Sequence, residues 1–105
     1  MSTYIILHTF TDQGISNIRD TTKRADAVRD LAKKLGVQVR DIYWTLGNVD
    51  IVGIFDAPDE TSITAFALAL GSQGNVHTQV LRALNREEIT GVLGKLTSAK
   101  VALPA

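Results

Sequence analysis

The sequence predicts an α+β fold with element order βαββαβ and one additional C-terminal helix. Three observations carry this expectation. Four short segments rich in β-branched and aromatic residues alternate with two stretches whose apolar residues recur at helical spacing. Only a Gly-Asn turn separates the second and third strand segments, so they form a hairpin joining two βαβ halves. The strands also hold more apolar residues than two helices on one sheet face can cover.

The first strand is "TYIILHTF", Thr3 to Phe10. Both of its faces are mostly apolar, which places it mid-sheet with cover on both sides. "TDQG" follows, with Thr11 as N-cap and Asp12 in the first turn, where an acid suits the helix dipole. Ile15 and Ile18 form a short apolar face. "DTTKR" breaks the pattern, because Asp20, Thr21 and Thr22 favour caps over helix interiors. From about Lys23 a stripe of Ala25, Val28, Leu31, Ala32 and Leu35 resumes and stops at Gly36. "VQVRDIYWTLG" is the second strand, with Val37, Val39, Asp41, Tyr43 and Thr45 alternating against Gln38, Arg40, Ile42, Trp44 and Leu46.

After Gly47-Asn48, "DIVGIF" is the third strand, and Gly53 within it signals a bulge or a close approach. Pro58 ends the strand, and Asp59 caps a helix that faces Ile63, Phe66, Ala67 and Leu70 to the core. "SQGN" turns the chain into the fourth strand, "VHTQVLRAL". In "NREEITGVLGKLTSAK" Asn85 and Glu88 have capping-box spacing, and Ile89, Val92, Leu93 and Leu96 make a stripe. Gly91 and Gly94 each weaken this helix by about 1 kcal/mol, so it depends on docking, and the apolar tail "VALPA" is expected to be ordered with it.

This order is that of the ferredoxin-like sandwich, an antiparallel four-stranded sheet with both helices on one face. Ile6, Phe10, Val52, Ile54, Val76 and Val80, or their alternates, would leave the other face apolar. Two such faces packed together form a dimeric α/β barrel. The division expected is a barrel domain over residues 1–84, and a C-terminal helix and tail over 85–105 docked at an oligomer interface.

The 105 residues fit one domain, with 45% hydrophobic, 6% aromatic and 21% charged residues. Eleven basic and eleven acidic residues give zero formal charge, which argues against a nucleic-acid partner. The bases Lys23, Arg24, Lys33 and Lys34 interleave with Asp20, Asp26 and Asp30, and read as a solvated, salt-bridged helix face. Absence of cysteine excludes disulfides, thiolate metal sites and a cysteine nucleophile. The start "MSTYIILHTF" lacks a basic region, and no apolar run nears the roughly 20 residues that span a bilayer. A cytoplasmic protein with no membrane partner is the simplest expectation.

In "YIIL…TDQGI", "KRADAVRDLAKKLG", "YWTLGNVDIV", "APDE" and "FALALGSQGNVHTQVLRAL", spanning most of residues 4 to 84, the chain resembles the GYD-domain proteins. That family is assigned to the dimeric α/β-barrel group and has no established activity. Its name comes from a Gly-x-Tyr-Asp pattern. Here Gly47 and Asp50 stand in place, while Val49 occupies the tyrosine position, so no phenol acts there. Related barrel families include cofactor-independent oxygenases, isomerases, a haem-degrading group and small-molecule sensors, an analogy of fold alone.

The chemistry-bearing residues are few. Asp50, after the Gly-Asn turn, reads first as a carboxylate bonding turn amides, and second as a general base or ligand anchor at a pocket mouth. His8 shares a strand face with Tyr4, Ile6 and Phe10. It is either a hydrogen-bonded core or interface residue or, if that face lines the barrel interior, the best proton-transfer group in the chain. His77 reads as solvated. Arg82 suits an anionic ligand or an inter-subunit salt bridge. Tyr43 and Trp44 point to opposite faces and read chiefly as core packing, one of them bordering an interface or pocket. No HxH or HExxH spacing implies a metal, no GxSxG implies a nucleophile, and the glycines of "GSQGN" follow a helix instead of preceding one as phosphate loops do. No cofactor is called for.

Three readings of function follow. The first is an oligomeric module binding a small apolar or aromatic molecule. The second is a cofactor-independent isomerase or monooxygenase acting on an aromatic or polyketide-like substrate through His8, with Asp50 or Arg82. The third is a structural partner protein docking through its C-terminal helix.

Overall fold

The computed structural model describes residues 1–100, so the tail "VALPA" lies outside the described residues. Its strands are β1 (Ser2–Phe10), β2 (Gln38–Trp44), β3 (Ile51–Ala57) and β4 (Val76–Ala83). Its helices are α1 (Asp12–Ser16), α2 (Thr21–Lys34), α3 (Glu60–Ser72) and α4 (Arg86–Ser98), with a 3-10 turn at Ile18–Asp20. The strands form one antiparallel sheet in the order β2-β3-β1-β4. This is the ferredoxin-like βαββαβ arrangement plus a terminal helix. The sheet is open.

Local chemistry sets the element ends. Thr11 caps α1 by accepting the Gly14 amide hydrogen at 3.1 Å, and its own hydroxyl donates to the Gly74 carbonyl. Gly14 has no room for a side chain: a Cβ there would stand 2.0 Å from the Asn75 carbonyl oxygen. That close approach ties the start of α1 to the loop before β4. α2 ends where Gly36 takes φ +73°, a left-handed conformation that costs glycine little. Asp59 caps α3 by accepting from the Ser62 amide at 2.8 Å. The predicted capping box of α4 is formed, Asn85 and Glu88 each accepting the other's amide hydrogen.

The core lies between the sheet and α2 and α3. Tyr4, Ile6, Phe55 and Ala57 meet Ile63, Phe66 and Leu70, with Val28, Leu31 and Leu35 packed alongside. Phe55 and Phe66 pack edge to face with centroids 5.1 Å apart, a geometry favoured by the ring quadrupoles. Gly53 is explained by a close approach. A Cβ there would come within 2.5 Å of the Phe55 ring.

Several expectations need correction. The bulge lies in β2, between Val39 and Asp41. It shifts the alternation, so Val39, Ile42 and Trp44 share the helix-side face, and Gln38, Asp41 and Tyr43 the other. The uncovered face of the sheet is apolar as expected, and of the six residues expected on it Val52 and Ile54 are there. Register places Ile5, Leu7, Val52 and Ile54 there, while Ile6, Phe10, Val76 and Val80 sit on the helix side. β1 is central, yet covered on one face only in the single chain. Nor does α2 carry salt bridges. Among the described residues the ion pairs are Arg40–Asp56 and Arg82–Glu88, because exposed helix pairs are worth only a few tenths of a kcal/mol against hydration.

Candidate functional site

Antiparallel topology brings the C-terminal ends of β1 and β2 beside the N-terminal ends of β3 and β4. At that end the helix layer does not close on the sheet. A cavity of about 60 Å³ remains, walled by His8 and Phe10 of β1, Ile42 and Trp44 of β2, and Ile51, Gly53 and Phe55 of β3. Val28 and Leu70 roof it from the helices, and Thr21, Arg24, Gln73 and Asn75 contribute polar groups. Trp44 and Gln73 are exposed and form its rim with the half-buried Arg24. The wall is mostly hydrocarbon.

His8 is the exception in that wall. Its side chain lies on the helix-side face of the central strand and is only 6% exposed. The Nδ1 atom is buried with no hydrogen-bond partner. Burial disfavours the charged imidazolium and lowers the pKa from 6.5 to about 4. The ring is therefore neutral near pH 7, with one nitrogen a donor and the other an acceptor. A buried, unpaired polar atom costs roughly 1–3 kcal/mol. Folding alone does not require such a group at this position.

The other predicted residues divide by location. Trp44 lies at the rim, 45% exposed, and its indole N–H donates to Thr21 Oγ1 at 3.0 Å. Tyr43 lies on the opposite, uncovered sheet face and is 54% exposed. Neither belongs to the core, contrary to expectation, because β2 is an edge strand and these residues are at its end. Asp50 does not line the cavity. Its carboxylate accepts the Phe10 amide hydrogen at 2.8 Å, and its backbone links to His8 and Thr45. It holds the end of β1 against the β2–β3 connection.

Arg82 stands away from the cavity, where its register partner is Tyr4. Its guanidinium pairs with Glu88, donates to the Ala83 carbonyl and lies 5.8 Å from the Tyr4 ring centre. Glu88 in turn is held below the usual carboxylate range, first by Arg82 and then by the Asn85 amide. His77 is exposed on the uncovered face. Of the five residues singled out as ligand candidates, the fold brings His8 and Trp44 together and separates Tyr43, Asp50 and Arg82.

Sequence reasoning missed Arg24, Thr21, Gln73 and Asn75. The sequence pattern puts Arg24 on a solvated face, yet it donates to the Asn17 and Gly14 carbonyls and links α1 to α2. Gln73 and Asn75 were assigned to a turn. The available signal was topological, since both precede β4 at the sheet end where β1 terminates.

Among the described residues no cluster of three or more His, Cys, Asp or Glu could hold a metal, and no helix is long and apolar enough to cross a membrane. No curated protein matches the chain. The GYD domain, however, matches residues 4–93, from β1 into α4. That span covers all of the sheet but its first two residues, every wall of the cavity and most of the described chain. The protein belongs to the GYD-domain family.

Proposed function

We propose that this GYD-domain protein is a self-associating module that binds a small apolar or aromatic molecule at the mouth of the cavity between its sheet and its helices. One observation carries the reading: a hydrocarbon-walled cavity containing an unpartnered histidine. Ligand sites combine apolar walls with a few polar groups that fix orientation.

Size argues against the enzymatic alternative on polyketide-like substrates. The cavity of about 60 Å³ is well below the roughly 300–1,000 Å³ typical of drug-sized ligand pockets. No Asp or Glu joins His8 in the wall to share proton transfer. Self-association is supported by the uncovered sheet face, where Ile5, Leu7, Val52 and Ile54 make an apolar centre. A two-fold axis sets such a patch against its own copy, and a neutral chain offers little net repulsion. Pairing of this kind would give the dimeric α/β barrel.

The chain has a single tryptophan, Trp44, on the cavity rim. Its one indole N–H signal in a nitrogen–proton correlation spectrum therefore reports on the site. Toluene, phenol and indole are suitable probes. A saturable shift of that signal with at least one of them is expected. A folded protein whose indole signal ignores all three would overturn the reading.

A further inference from the structure

We infer that the ligand of the helix-side cavity carries a hydroxyl group, which hydrogen-bonds His8 while the rest of the molecule lies against the apolar wall and the rim. The inference rests on the binding role proposed above and adds the chemical class: a phenol or a short-chain alcohol.

Two independent features of the cavity lead to it. The first is an unmet polar atom. His8 is 6% exposed and its Nδ1 has no partner, although nearly all buried polar atoms in folded proteins find one. Around the ring the wall is hydrocarbon from Phe10, Val28, Ile42, Ile51, Phe55 and Leu70, with the further polar groups coming from Thr21, Arg24, Gln73 and Asn75. His8 lines the cavity, and a ligand bearing a polar group there would give its ring the hydrogen bond that the fold leaves out.

The hydroxyl is the group that fits best. A neutral imidazole presents one donor and one acceptor, and which nitrogen carries the proton depends on its partner. A hydroxyl both donates and accepts, so it pairs with a nitrogen of the ring in either tautomer. A ketone or ether would serve only the donor form. Arg24, the cation of the lining, already donates to the Asn17 and Gly14 carbonyls, and a carboxylate beside His8 would bring a charge against the apolar part of the wall, at a large desolvation cost.

Volume is the second feature. About 60 Å³ is less than half of a cavity of roughly 150 Å³ that holds benzene. A whole aromatic ring is not enclosed. The polar end enters beside His8, and the remainder lies at the open rim near Trp44. This arrangement needs a molecule with a polar head and a short apolar body.

The test compares toluene with phenol, which are close in size and differ in the hydroxyl. An apolar cavity alone ranks toluene above phenol, because a buried hydroxyl without a partner is penalised. Affinities are read from the Trp44 indole signal. Wild-type protein is expected to bind phenol several-fold more tightly than toluene. The order should reverse in His8→Phe and return in His8→Gln, whose amide both donates and accepts. Toluene binding as well as or better than phenol in wild-type protein would overturn the hydroxyl assignment and leave the binding role standing. So would a phenol preference that survives in His8→Phe. Should that variant fail to fold, the wild-type ranking and His8→Gln still decide. Binding of neither probe would remove both the role and the assignment.

Discussion

Burial lowers the His8 pKa from 6.5 to about 4, so between those values the unfolded chain binds a proton that the folded chain refuses. Stability is then highest above pH 6.5 and falls as the pH drops towards 4, by about 3 kcal/mol in all at 1.36 kcal/mol per pKa unit. His8→Phe should remove this part of the acid slope. At neutral pH it should be more stable than wild type by about 1–3 kcal/mol, since it relieves the cost of a buried unpaired nitrogen and loses no hydrogen bond. Urea midpoints at pH 7 and 4.5 for both proteins measure the difference. Asp50 makes the opposite case, a polar group with a partner. Asp50→Ala leaves the Phe10 amide without its acceptor and should cost about 1–3 kcal/mol. Asp50→Asn keeps an oxygen there and should recover most of that loss in the same assay.

Among the elements, α4 packs least against the rest of the chain. It buries none of its residues, and Ile89, Val92 and Leu93 stay exposed. Its start is fixed by the capping box and the Arg82–Glu88 pair. Because Glu88 titrates below its ordinary value, this anchorage is present above the ordinary carboxylate range and is lost as the pH falls through the lowered value. Asn85→Ala should lower the helicity of α4, at about 1 kcal/mol for the lost cap, while leaving the core intact. Circular dichroism alongside amide exchange at Phe66 and Ile6 separates the two effects. The caps of α1, α3 and α4 were legible in the sequence because each is a local bond within a few residues. The β2 bulge was not legible, and neither was the membership of the uncovered face. A strand alternates sides with period two, so one unannounced extra residue reverses every later assignment. His8 was recognised as the central chemical group, but its neighbours Arg24, Gln73 and Asn75 meet it only through tertiary topology.

For the whole molecule, the radius of gyration of 16.7 Å exceeds the roughly 13 Å of a compact chain of this length. This agrees with a terminal helix standing off the body. Assembly should proceed through the uncovered sheet face, where a standard interface buries about 800 Å² per partner. Sedimentation at micromolar concentration should give twice the chain mass. Val52→Lys, which sets like charges against each other across a two-fold axis, should return the protein to a single chain while sparing the cavity. A monomeric wild type would end the barrel proposal. The two lateral margins of the sheet also differ. β2 is kinked by its bulge and offers an irregular row of amides, whereas β4 runs straight for eight residues. A kinked margin is a poor template for a stray strand. Copies joining side by side could therefore meet straight margin to straight margin and then stop, which guards the protein against runaway fibre growth.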